Sequence, residues 1–247
     1  MTDSGMFKCK HCGLCCKNQR GRWEESKPKL PFLYQYTPLR KTSFSVLDWE
    51  LPLLERKANE LSFQLKVLPR LVLWDEIHKI SLVLSWTFDY DNCPFLSRNN
   101  LCQINNDKPL TCKLYPLFSL SLFDREHRRK EIMIEYSDCP NVFEIKEKTP
   151  QTQSRWFTTL FRAYGNCFVA MLRDEYVDRV QNDLIKDLIG KGKIFPSRIN
   201  KETIRCIKAD KPIGFYDFLR SSYPDLHKEA QNKIQQLYTA DYDFLRS

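Results

Sequence analysis

The chain has 247 residues and a formal net charge of +8, from 39 lysines and arginines against 31 aspartates and glutamates. Hydrophobic residues make up 42%, charged residues 28% and aromatic residues 13%, with a mean hydropathy of -0.50. This composition supports a buried core and excludes wholesale disorder, and no stretch approaches the roughly 18 apolar residues that cross a bilayer. Seven glycines leave no G-x-x-x-x-G-K and no G-x-G-x-x-G, since Gly190-Lys-Gly192-Lys193 fits neither. No nucleotide loop is visible, and ten cysteines remain to be explained.

The N-terminus, Met1 to Cys9, has no apolar segment of the kind that marks secretion, so a cytoplasmic, reducing setting is expected. Four cysteines follow closely: Cys9, Cys12, Cys15 and Cys16. Cys9-Lys-His-Cys12-Gly13 is a C-x-x-C-G knuckle. Two intervening residues let one tight loop present both sulfurs to one ion, and Gly13 can take the positive φ the loop needs. Cys15 extends the run to C-x2-C-x2-C, which opens the ferredoxin pattern, but Cys16 follows at once where that pattern continues differently. Consecutive side chains diverge, so Cys15 and Cys16 are expected to serve two interleaved sites, or to be one ligand and one other thiol. Lys8, Lys10, Lys17, Arg20 and Arg22 surround the run with no acid between Asp3 and Glu24, and cationic surroundings favour thiolates. His11 inside the knuckle is a lesser candidate ligand or hydrogen-bond donor to sulfur.

Asp48 to Leu61 reads as a helix capped by Asp48, with Pro52 in its first turn. Val67–Trp74 and Lys79–Phe88 read as a hairpin that delivers Cys93. Cys102 follows. Asp107-Lys-Pro109-Leu-Thr-Cys112 reads as a cap, then proline in the first helical turn. Cys112 would then lie near a helix N-terminus, whose dipole favours its thiolate. Residues 116–123 and 131–136 suggest a second hairpin, which delivers Cys139. Between them Arg125-Glu-His-Arg-Arg-Lys130 reads as a solvated basic turn.

Thr149-Pro150 is a helix start signal. Trp156, Leu160, Phe161, Tyr164, Phe168, Met171 and Leu172 then repeat as a core-facing stripe. Gly190 to Lys193 breaks the run, and short helices follow, including Pro224 to Tyr238. Cys167 and Cys206 lie in apolar helical patterns and read as buried free thiols. The expected fold class is α+β: a small cysteine-rich domain with short β-hairpins over residues 1–148, and a helical region over 149–247 packed on it.

Disulfides suit a reducing compartment poorly, and neighbours Cys15 and Cys16 cannot bridge each other without strain. Metal ligation accounts best for the bunching of Cys9, Cys12, Cys15, Cys16, Cys93, Cys102, Cys112 and Cys139. An iron–sulfur cluster or iron is favoured, with zinc as the alternative, because thiolate-only sites accept both. The positive charge leaves a protein partner open and gives weak support to nucleic acid, since no nucleic-acid motif accompanies it. A four-thiolate site holding a divalent ion adds a charge of about -2, so part of the positive charge is local compensation. No membrane association is expected, and no substrate or catalytic residue is assigned.

Phe7-x-Cys9-x-x-Cys12-Gly13-x-Cys15-Cys16 resembles the opening motif of the CxxCxxCC cysteine-cluster family (YkgJ type). Cys93-Pro-Phe-Leu96, Cys102-Gln-Ile104, Lys108-Pro109-Leu-Thr-Cys112-Lys-Leu-Tyr115-Pro116 and Cys139-Pro140 are similar to its later motifs, so the resemblance spans roughly residues 7–140. It implies chelation of zinc or iron by the eight cysteines. Asn105, Lys108 and Asn141 depart from the residues usual in that family.

Overall fold

The structure, a computed structural model, describes residues 7–9, 12–17, 31–35, 45–119, 132–134, 139–143, 145 and 153–239. Strands β2 (Val67–Asp75) and β3 (Ile80–Phe88) form the expected hairpin, running antiparallel from Val67 opposite Phe88 to Asp75 opposite Ile80. β1 (Leu33–Gln35) lies antiparallel on the outer edge of β2. β6 (Ile213–Gly214) lies parallel to β3, giving the order β1-β2-β3-β6. The register of β2 shifts between Pro69 and Leu71. Proline has no N–H to give to a ladder, and a bulge re-aims the residue beside it.

Alternation sorts the sheet residues between two faces. Val72, Trp74 and Val83 pack with Ile207 of α5 (Lys201–Ala209), and Cys206 packs against this group. Leu73, Leu82 and Leu84 belong to the main core, built with α4 (Asn166–Gly190), α6 (Phe215–Ser222) and α7 (Pro224–Thr239). Along α4 the buried residues Phe168, Met171, Val177, Val180, Leu184, Ile185 and Leu188 recur at helical spacing. Fully burying one such side chain contributes about 1.5–3 kcal/mol.

The stripe expected as one helical run is two helices, α3 (Gln153–Tyr164) and α4, broken at Gly165 with φ 46°. That positive φ suits a residue without a Cβ. Thr149 and Pro150 lie outside the described residues. The second hairpin is present as β4 (Leu117–Ser119) antiparallel to β5 (Ile132–Ile134), and the basic segment 125–130 between them lies outside the described residues.

A third cluster joins α1 (Leu51–Glu60) to the segment after β3. Leu54 and Ala58, one turn apart, pack on Phe88, Phe95 and Ile104, with Cys93 and Cys102 against this group. Phe95 lies edge-on to both Phe63 and Phe88. Pro52 sits in the first turn of α1 as expected, but Asp48 does not cap that helix. Residues 48–50 form a 3-10 turn, and the Asp48 carboxylate caps α6 instead. It accepts from the N–H groups of Tyr216 (2.8 Å) and Asp217 (3.0 Å) and from Trp86 Nε1 (3.4 Å). Residue 214 precedes α6 and must be small, because a Cβ on Gly214 would run into that carboxylate. Burial pushes the Asp48 carboxyl up, and its backbone donors oppose the shift. Asp48→Ala is expected to destabilise the protein by about 2–4 kcal/mol, because one buried and one partly buried N–H group lose their acceptor. Urea unfolding checks this, and a loss below about 0.5 kcal/mol would show that water replaces the cap.

Candidate metal centre

The N-terminal cysteine run is anchored at its start. Phe7 is buried, and its N–H donates to Ala163 O at 2.7 Å. Asn141 Nδ2 donates to Lys8 O at 3.0 Å, fastening the segment that carries Cys139 beside Cys9. Gly13 has the expected positive φ, 72°, and the chain turns into a 3-10 helix over Leu14–Cys16. Cys16 O then accepts from Cys93 N–H at 2.7 Å. This bond joins the first cysteine group to the second.

Cys93 and Cys102 sit on a compact loop. Phe95 O accepts from Gln103 N–H at 3.0 Å, and Leu96 bridges to Cys102. Cys112 is the third residue of α2 (Leu110–Leu114). Pro109 precedes that helix as its cap residue, and Asp107 lies in a separate 3-10 turn, so the expected arrangement is displaced. The side-chain acceptor is Glu50, which takes the N–H of Leu110 at 2.7 Å and that of Leu47 at 3.0 Å. Thr111 Oγ1 donates to Ser45 O on the same side.

These segments enclose a cavity of about 820 Å³. Cys9, Cys12, Cys15, Cys16, Cys93, Cys102, Cys112 and Cys139 all line it. None of the eight is in a disulfide. Lys8, Lys108, Lys113 and Arg173 also line it, and among the described residues no acidic side chain does. His11 lies outside the described residues. Cys206 lies away from the cavity, on α5, where it is half-buried rather than fully buried as expected. Cys167 packs against the main core but is half-buried rather than fully buried as expected, and it also lines the cavity. Its position in the first turn after the Gly165 break, rather than in the middle of a helix, was the available signal.

The adjacent pair departs from expectation. The tight turn holds the sulfurs of Cys15 and Cys16 3.9 Å apart. Four thiolates at about 2.3 Å from one zinc ion would be separated by about 3.8 Å. The two side chains therefore do not diverge, and their spacing suits a thiol hydrogen bond as well as a shared ion. Among the described residues, however, no three His, Cys, Asp or Glu side chains converge closely enough to hold one ion as they stand. The sulfurs enclose a space instead of meeting at a point.

The charges within the cavity are uneven. Cys16 is pulled down to about 3, because Cys15 and Cys93 donate to its sulfur and Lys108 lies near. The same hydrogen bonds, together with burial, push Cys15 and Cys93 up. Burial, with the nearby charges of Cys16 and Glu50, also pushes Cys112 well up. A thiolate favoured by a helix dipole was expected there; burial wins over a one-turn helix, whose end effect is small. Lys108 opposes the rise at Cys102 and Cys112, a role the sequence pattern did not indicate. The set fits a thiolate-bound zinc or iron centre: soft donors, balancing cations and a roofed space.

Burial pushes Glu50 up to about 7, above the ordinary glutamate value of 4.5. A carboxyl raised on folding holds its proton more tightly in the native state. Stability from this group is therefore full below about pH 4.5 and is lost as pH rises toward 7. The loss is about 3 kcal/mol at most. Glu50→Gln is expected to flatten the fall in urea stability across that window at equal metal content. An unchanged slope would assign it to other groups, such as Asp174, which burial also raises to about 7.

No curated protein and no solved structure matches this chain. The model of a family described as a zinc- or iron-chelating domain matches residues 8–141, which contain all eight clustered cysteines. That match covers more than half of the chain, and with the thiol-lined cavity built largely from the same residues it supports one conclusion: the chain belongs to the CxxCxxCC family of zinc- or iron-chelating domains.

Proposed function

We propose that the cavity holds an iron–sulfur centre and that the protein has a redox role. One observation carries this reading: thiols surround a space of about 820 Å³ while, among the described residues, no three donors converge on a single ion. A cluster with its own bridging sulfides fills such a space, each iron taking protein thiolates only at its outer side. When bound, the cluster would supply one-electron chemistry. Cys9, Cys12, Cys15, Cys16, Cys93, Cys102, Cys112 and Cys139 supply the ligands. Lys108, Lys113 and Arg173 offset the thiolate charge, and Phe88, Phe95 and Tyr115 limit the entry of water.

Anaerobically purified protein should be brown, with thiolate-to-iron absorption, acid-labile sulfide and an EPR signal on reduction. Colourless protein holding stoichiometric zinc would overturn the proposal. The 3.9 Å spacing of Cys15 and Cys16 favours a second reading, a zinc-stabilised module that binds a protein or nucleic-acid partner. Nucleic-acid binding through its basic residues would weaken steeply with salt.

A further inference from the structure

Nine thiols, not eight, line the cavity, and the ninth lies outside residues 8–141. We infer that Cys167, at the start of α4, is a further metal ligand that joins Cys9 and Cys139 in an outer set. The inference rests on the reading of the cavity as a thiolate metal centre. Three separate segments bring these residues together. Phe7 is bonded to Ala163 at the end of α3, and Asn141 is bonded to Lys8. The Tyr164 ring stacks on Phe143 at 5.3 Å and leans on Phe7 at 5.6 Å, and its hydroxyl donates to Phe143 O at 2.8 Å. Residues 7–9, 139–143 and 163–167 are therefore fixed to one another, with Cys9, Cys139 and Cys167 on the wall they share.

Cys15, Cys16, Cys93, Cys102 and Cys112 line the rest of the cavity, and Cys12 follows Cys9 on the knuckle. Cys167 therefore adds a thiol to a wall that the motif cysteines leave with Cys9 and Cys139. On ligation its S–H proton leaves to solvent and the sulfur bonds the metal. The helical C-terminal region would then contribute directly to the centre.

The test uses the full chain purified anaerobically with its metal, and the same protein after chelator treatment. Iodoacetamide labelling is read peptide by peptide by mass spectrometry. Cys167 should be labelled at least about tenfold more slowly in the metal-loaded protein, while Cys206 is labelled equally in both. Equal labelling of Cys167 in the two forms would overturn the inference. Cys167→Ser should lose the metal of the outer set or release it to chelator at least about tenfold faster, whereas Cys206→Ser should behave as wild type. A Cys167→Ser protein with wild-type metal content and release, beside a Cys12→Ser protein that loses metal, would overturn the Cys167 assignment alone. Metal retained in full by Cys12→Ser would overturn the metal centre itself.

Discussion

Cys16→Ser is expected to cost the protein more of its metal than any other single substitution. Cys16 accepts from Cys15 and Cys93 and shifts the protonation of Cys102 and Cys112. Its backbone carbonyl also receives Cys93 N–H. Serine keeps that backbone bond but replaces a soft, readily ionised sulfur with a hard hydroxyl that stays protonated near neutrality. Cys15 and Cys93 then lose their shared acceptor. The variant should release metal at least about tenfold faster than wild type, equivalent to about 1.4 kcal/mol or more of binding free energy. Because ligation and folding are coupled, its Tm should fall in the metal-loaded protein and less after chelation. Metal analysis and thermal melts with and without chelator check both parts. Wild-type metal content would exclude Cys16 from the centre.

Gly13→Ala should produce nearly as large an effect without removing a donor atom. Gly13 has φ 72°, where an L side chain costs about 1–2 kcal/mol. A Cβ there would also lie 2.8 Å from Asn100 O and 2.9 Å from Leu96 Cδ1. The first contact is with backbone, so a rotamer change cannot relieve it. The knuckle must then move away from the loop that carries Cys93 and Cys102. We expect a stability loss of about 2–3 kcal/mol and weaker metal retention despite an intact set of cysteines. Gly190→Ala is the control, since a Cβ there meets nothing within 4 Å. Urea unfolding and metal analysis of the two variants should separate them clearly; equal behaviour would mean that the knuckle tolerates displacement.

Local signals carried much of this structure. The hairpin of β2 and β3 follows from β-branched and aromatic residues around a short turn, and Pro52 marks the first turn of α1. Gly13 was legible because the C-x-x-C turn needs a positive φ. What local reading missed depends on distant partners. Asp48 had the sequence position of a cap, but it serves a helix whose N–H groups lie 168 residues away. β6 is two residues long and carries no pattern of its own; it pairs because α6 is docked beside β3. The thiol of Cys112 follows its burial rather than its place near a helix start. Cys167 looked like part of an apolar stripe, because only the break at Gly165 turns it toward the cavity.

The bond from Tyr216 to Asp48 also sets an order of events during synthesis. At about 5–20 residues per second, the ribosome needs roughly 8–34 s to add the 168 residues between the two partners. The cysteines of residues 9–16 leave the tunnel early in that interval, before the helices that roof their cavity exist. A nascent chain must therefore carry exposed thiols for many seconds, open to oxidants and to competing ions, until its last third arrives. Completion of the cavity is therefore a late step in the birth of this protein, and expression under aeration is expected to lower the metal-loaded fraction even when iron or zinc is plentiful.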